Sequence, residues 1–522
     1  VGIKNNYNGS LIDRYQLVTV DDLVTGLEKE SLRVTPFGKI SSLPHSKEYG
    51  AALTNPYITT DYSEALLELI TPPEGSAHKT IQSLIETHAF VYQNIGDELL
   101  WVCSMPPAIA NSNEIPIARY GTSNVGQMKY KYRQGLAYRY GRRMQSIAGI
   151  HFNFSLSTEA WQKWYKEDQK KDQSLQSFID EKYLGLIRNY FRQSWLLLQL
   201  FGASPAIDNT FTNKIPDDLR QFDKNSWVGD YATSLRMSNI GYVNHAQAQL
   251  NVCYNSLTEY VRGLRAATST VEPMYLDIGI KDEQGFYKQL NANILQIEAE
   301  YYSPIRPKRK SRRDERPLTA LEKSGIDYVE VRALDLNPFE QVGISQTDLY
   351  FLDLFLLHCL FTESAPCSKQ DCQEYRENKL RVAYHGRKPG LTLLTSGEEY
   401  LLTDWVEDIF AELAPLASWL DQQQNSHHFT DALNSKYQLL KNPEQLPSSR
   451  FLHLMEKEKI SFLEAGLLFS EQQKERWKAF NLSEEKKNFY ISCAQKSLQD
   501  QKEIEDSDKI PFDDYLVSYF SS

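Results

Sequence analysis

Three segments of this chain carry charged side chains at the two-residue period of a β-strand, and that pattern narrows the possible folds sharply. Residues 26–33 (GLEKESLR) put Glu28 and Glu30 on one side, and residues 296–302 (QIEAEYY) do the same with Glu298 and Glu300. Residues 328–333 (YVEVRA) set Glu330 beside Arg332 with valines behind. Side chains two apart in a strand share a face. Packed carboxylates repel, and one takes up a proton unless a cation sits between them. A sheet face lined in this way is a seat for Mg²⁺ or Mn²⁺, and through the metal for nucleotide phosphates.

At 522 residues the chain can bury a large core. Its net charge of −11 argues against nucleic-acid binding, which needs a basic surface. No apolar run is long enough for a membrane span, and no basic-then-apolar leader opens the sequence. These features predict a cytoplasmic enzyme of small anionic substrates; a monomer is expected, although nothing in the composition fixes the oligomeric state. The first residue is Val1, so the natural start is expected to be trimmed or replaced. Six scattered cysteines without a CxxC pair read as reduced, although Cys367 and Cys372 are near enough in sequence to pair.

Along the chain, residues 10–75 read as turn-rich β structure with a strand near 25–34, and residues 76–96 as a helix closing at Gly96. A loop follows over 104–126, then a helix over 127–146. Residues 149–156 (GIHFNFSL) are the clearest strand, with His151, Asn153 and Ser155 on one face and Ile150, Phe152 and Phe154 on the other. A helical region over 158–201 ends at Gly202. Further strands are expected near 292–302 and 326–336, and an apolar helix over 344–363. Beyond about 400 the chain is helical and rich in Glu, Lys and Gln. Strands scattered among long helices, without a βαβ beat, predict an α+β fold. Its mainly antiparallel sheet would curve into a cup, with helices on the outer face. The expected division is a catalytic domain over 1–400 and a helical C-terminal region over 401–522 packed on it.

A solvated strand face is the plain reading of Glu28 and Glu30 alone. Similar faces carrying Glu68, His151, Glu298/Glu300 and Glu330 favour a metal site, and the oxygen-rich donor set suits Mg²⁺ or Mn²⁺ over zinc. Arg236 and Arg332 either pair with buried acids or clamp a substrate carboxylate. The basic run 306–313 (RPKRKSRR) is a solvated loop, or its start reaches the cup and neutralises triphosphate. Residues 121–126 (GTSNVG) lack the Gly-Lys-Ser/Thr of a P-loop, and neither GxGxxG nor GxSxG supplies another phosphate cradle or a nucleophile. Any ATP would be held by metals and basic side chains.

Several ordered segments together resemble the proteobacterial glutamate–cysteine ligase family. They are 26–33, 59–68 (TTDYSEALLE), 119–124 (RYGTSN), 151–155, 201–206 (FGASPA), 231–236, 302–309 (YSPIRPKR), 330–338 (EVRALDLNP) and 386–390 (GRKPG). The resemblance spans roughly 20–395; beyond it only length and helical character agree. It implies a glutamine-synthetase-like fold and ATP-dependent joining of the L-glutamate γ-carboxylate to the L-cysteine amine through a γ-glutamyl phosphate. That is the first committed step of glutathione synthesis, and the implied partners are ATP, Mg²⁺ or Mn²⁺ and the two amino acids.

By motif, the resemblance places Glu28, Glu30, Asp61, Glu68, His151 and Glu330 on the metals, and Arg236 and Arg332 on glutamate or the transferring phosphoryl group. It places Tyr132, Ile147, Tyr242 and Tyr302 in the cysteine pocket and Arg133 and Arg306 on phosphates. Glu298 and Glu300 have no clear counterpart. Two tyrosines precede Ser303-Pro304 where one aromatic is expected, and strand alternation selects Tyr302. The family also occurs fused to an ATP-grasp domain; this chain is too short for one, so a single activity is expected. The competing readings are a ligase of this fold with another amine acceptor, and a non-catalytic protein that binds metal and nucleotide.

Overall fold

The computed structural model describes residues 14–168, 173–241, 247, 250, 252–312 and 315–521. Its centre is an antiparallel sheet of seven strands: β1 (Leu23–Val34), β2 (Ile58–Thr60), β3 (Leu66–Ile70), β4 (Leu99–Leu100), β5 (Ile150–Leu156), β6 (Ile305–Lys308) and β7 (Tyr328–Leu334). The order across the sheet is β2-β3-β1-β5-β7-β6, with β4 paired to the far end of β1.

Register decides which side chains meet. Glu28 lies opposite His151, Glu30 opposite Glu68, and Glu330 opposite both Asn153 and Arg306. Cross-strand partners share a face, so five neighbouring strands send their polar residues to one side. The other side carries Leu27, Leu67, Leu69, Phe152, Phe154, Val329 and Val331, all fully buried. Slipping any strand by one residue would exchange these sets, so burial of the apolar face fixes the site.

Helices cover that apolar face. Helix α1 (Ala77–Asn94) packs on β1 and β3, α2 (Asn124–Tyr140) follows the loop over 104–123, and α3 (Leu175–Gln193) packs on β6. Helix α4 (Gln346–Phe361) is apolar on every side, as a helix with no wet face must be. It is enclosed by α1, α3, α5 (Leu402–Gln424) and α6 (His428–Lys441). The rest of the tail wraps the body: α7 (Phe462–Lys478) lies on α1 and β4, α8 (Glu484–Ser507) on α1, and α9 (Phe512–Ser521) on α2. Lys29 and Ser31 also point to this side, where burial pulls the Lys29 amine down to about 7.

The α+β cup and its helical tail are as the sequence predicts. One strand is not. Residues 292–297 are irregular, and Glu298–Glu300 form a short 3₁₀ turn. The period-two pattern there is a coincidence of burial: each glutamate is inward because it meets a buried arginine. Glu298 accepts from Arg316 at 3.1 Å and caps Leu318 N, while Glu300 pairs with Arg139 at 3.0 Å. All six cysteines are free thiols, so Cys367 and Cys372 do not pair. No helix among the described residues is long and apolar enough to cross a membrane.

Candidate active site

The polar face is organised around His151. Its Nδ1 lies 3.1 Å from Glu28 Oε2, and its Nε2 lies 3.5 Å from Glu30 Oε1. The second oxygen of Glu28 accepts from Asn153 Nδ2 at 3.0 Å, and that of Glu30 from Gly149 N at 2.8 Å. Glu330 is buried between Lys308 Nζ at 3.0 Å and Arg332 Nη1 at 2.9 Å. Two triads, Glu28–His151–Glu330 and Glu30–Glu68–His151, each bring three ligand atoms within 4.8 Å of one another. Asp61 follows β2 at the same end of the sheet, and its carbonyl accepts from Arg133 Nε at 2.5 Å.

The electrostatics divide the acids. Burial pushes the Glu330 carboxyl up, but the Lys308 and Arg332 charges outweigh it and hold the group well below its ordinary value. Burial and Glu330 raise Glu28, yet the His151 hydrogen bond leaves it lowered. Glu30 is raised, chiefly by burial. Glu68 is raised well above its ordinary value by burial and then by the charges of Glu28, Asp61 and Glu30. A carboxylate crowded by three others is under-compensated, since the opposing Arg332 charge is the weakest of these influences. All the donors are oxygens apart from one imidazole, which fits a hard divalent cation such as Mg²⁺ or Mn²⁺.

Beside the carboxylates lies a cavity of about 130 Å³. Glu30, Asp61 and His151 form part of its wall, with Tyr132, Arg133, Arg236, Tyr302, Arg306 and Arg332. Arg236 sits in a tight turn, donates to the Arg332 carbonyl at 2.9 Å and lies 3.6 Å from Asp335. Its guanidinium needs the bare backbone of Gly149, where a Cβ would come within 2.1 Å of Nη2. The Nε atoms of Arg236, Arg306 and Arg332 are buried with no partner among the described residues. An unpaired buried N–H is costly, so three of them around one cavity mark it for an anionic ligand.

Most residues picked out by the sequence therefore meet. Glu28, Glu68 and Glu330 stand on the sheet beside the cavity. Ile147 is fully buried three residues before β5 and is not in the cavity wall, whereas Met144 and Gln145, just before it in the chain, are. Tyr242 lies outside the described residues. Tyr302 reaches the cavity although the alternation that selected it is absent; Tyr301 instead bonds Tyr254. Sequence reasoning missed Tyr140, Met144, Gln145 and Gln247 in the wall; Glu300, which it singled out on a strand, lines the wall from the turn instead. It also read Lys308 only as part of a basic run, whereas alternation from Arg306 puts it beside Glu330.

Fold and site together define a ligase of the kind that joins a carboxylate to an amine on a glutamine-synthetase-like sheet. The family model for glutamate–cysteine ligase matches residues 10–382, and the chain belongs to that family. It is 42% identical over 515 residues to a glutamate–cysteine ligase of Alcanivorax borkumensis, covering 98% of both chains. It is 44% identical over 497 residues to one of Pseudomonas putida, covering 95% of this chain and 94% of that one. Among solved structures, it resembles the Francisella tularensis glutamate–cysteine ligase in complex with AMP, with TM-score 0.90, 37% identity, and coverage of 96% and 98%. A bifunctional glutathione synthetase of Pasteurella multocida gives TM-score 0.66 at 25% identity, covering 90% of this chain and 54% of that one.

Proposed function

We infer that this protein joins the γ-carboxylate of L-glutamate to the amine of L-cysteine with conversion of ATP to ADP, through a γ-glutamyl phosphate. The observation that carries the residue roles is the set of orphaned guanidinium N–H groups facing a cavity rimmed by carboxylates. Glu28, His151 and Glu330 would hold one divalent cation, and Glu30, Glu68 and Asp61 a second. When bound, such ions neutralise phosphate charge and polarise the transferring group. Arg236 and Arg332 hold glutamate with its γ-carboxylate toward the phosphate, and their charges stabilise the acyl phosphate as it forms. Arg133 and Arg306 balance the remaining phosphate charge. Tyr132, Tyr302, Ile147 and Tyr242 shape the pocket for the cysteine side chain. The amine then attacks the acyl carbon and phosphate leaves, a reaction that depends mainly on positioning. In this reading residues 1–400 are the catalytic domain and 401–522 a helical layer on it, and the enzyme acts as a cytoplasmic monomer.

The test is ADP release from Mg-ATP and L-glutamate, with and without L-cysteine, and with L-2-aminobutyrate as a thiol-free acceptor. Strong stimulation by cysteine, with γ-glutamylcysteine as product, is expected. ADP formed with other amines but not with cysteine would move the reading to a different acceptor. No amino-acid-dependent turnover would reduce the protein to a binder of metal and nucleotide.

A further inference from the structure

Of the two glutamates in the turn before Tyr301, Glu300 lines the active-site cavity and Glu298 does not. Glu300 is 7% exposed. Its Oε1 accepts from Arg139 Nη1 at 3.0 Å and from Tyr140 OH at 2.5 Å. Its Oε2 accepts from Gln296 N at 2.7 Å and from Gln296 Nε2 at 3.3 Å.

Neutralising Arg139 needs only the first of those oxygens. The second ties the turn to α2 by another route. Gln296 is fully buried and is not part of the described cavity wall, and its Nε2 also donates to the Tyr132 carbonyl at 3.2 Å. Gln296 can lie this close to α2 because residue 135 is glycine, where a Cβ would come within 2.1 Å of Gln296 Oε1. Tyr132, Gly135 and Arg139 follow one another at intervals of three and four residues, so they share one face of the helix. Glu300 grips that face at two levels, directly at its end and through Gln296 at Tyr132. On its other side it is linked to Tyr302. The Glu300 carbonyl accepts from Gln247 Nε2 at 2.8 Å, and Gln247 Oε1 accepts from Tyr302 N at 2.9 Å.

We propose that Glu300 is a positioning residue that sets the spacing between Tyr132 and Tyr302, and with it the fit of the amine substrate. The inference rests on the reading of those two tyrosines as the cysteine pocket. The role requires a carboxylate, which accepts on both oxygens. A glutamine there has one accepting oxygen and turns a donor toward the other pair of donors. Either Arg139 and Tyr140 or Gln296 then loses its acceptor, and α2 shifts against the turn.

Steady-state kinetics of Glu300→Gln, with each substrate varied in turn, test this. KM for L-cysteine should rise about tenfold, the scale of one lost hydrogen bond to a charged group. KM for ATP and for L-glutamate should stay within about twofold of wild type. Gln296→Met should give the same split, although Gln296 is set back from the wall and acts only through position. If Glu300→Gln does not fold, Gln296→Met alone decides. All three KM values rising together, or a lower Tm with all three unchanged, would make Glu300 no more than an ion-pair partner of Arg139 and overturns the inference. Tyr302→Ala separates this inference from the pocket reading beneath it. If Tyr302→Ala leaves KM for cysteine unchanged, the pocket reading falls and the inference with it. If Tyr302→Ala raises that KM while the Glu300 and Gln296 variants do not, the role of Glu300 falls alone.

Discussion

Single carboxylates on the polar face have opposite energetic signs, and that separates their predicted behaviour. Glu28→Gln keeps the hydrogen bond from Asn153 but removes a charge from one triad, so turnover should fall by more than about 10²-fold; near-normal ADP release at moderate Mg²⁺ would refute its place on a metal. Glu68 is the strained member. An acid with a raised folded pKa binds its proton more tightly folded than unfolded, so its presence costs stability as pH climbs above the ordinary glutamate value of 4.5. Glu330, with its lowered pKa, does the reverse: its contribution is full above 4.5 and is lost as pH falls toward the folded value. Glu68→Gln should therefore raise the Tm of metal-free protein at pH 7, with little change at pH 4, while weakening the Tm increase given by Mg²⁺. Equal Tm values for variant and wild type at pH 7 would show that Glu68 carries no such strain.

Elements place these residues by register and by close approach. The strand that begins at Gly149–His151 does both: Gly149 N grips Glu30, His151 bridges two glutamates, and the missing side chain of Gly149 admits Arg236. Gly149→Ala should push the guanidinium aside and lower kcat/KM for glutamate by about 10²-fold, as an ångström-scale misplacement does. Unchanged kinetics would mean Arg236 has slack. Strands β1, β5 and β7 were legible in the sequence because polar or charged residues recur at period two along each, opposite residues that face the core. The turn at Glu298–Glu300 was not, because ion pairs with Arg316 and Arg139 bury its acids without any sheet, and period two alone cannot tell these cases apart.

Across the whole molecule, the tail reaches the active-site helix. Asp508 accepts from Asn124 N at the start of α2, Glu505 accepts from Thr122 N at 2.8 Å, and Asn124 donates to the Ile510 carbonyl at 2.9 Å. The helix held in this way carries Tyr132 and Arg133. Gly50, at φ 81°, lets α8 close on the body, where a Cβ would strike Ala494 and Ser497. Asp508→Ala should cost about 1 kcal/mol through the lost cap and helix-end charge, and should raise KM for cysteine more than for ATP. A stability loss with all KM values unchanged would make the tail a passive brace. The sequence by itself determined three central strands, near 25–34, 149–156 and 326–336, with their polar faces, and the family, because these follow from alternation and from short motifs along one segment. Only the tertiary structure decided which acids come together, which arginine N–H groups lack partners among the described residues, and that Glu300, Met144 and Gln145 join the cavity wall. Those facts depend on register and on contacts between segments far apart in the chain, which no local period encodes.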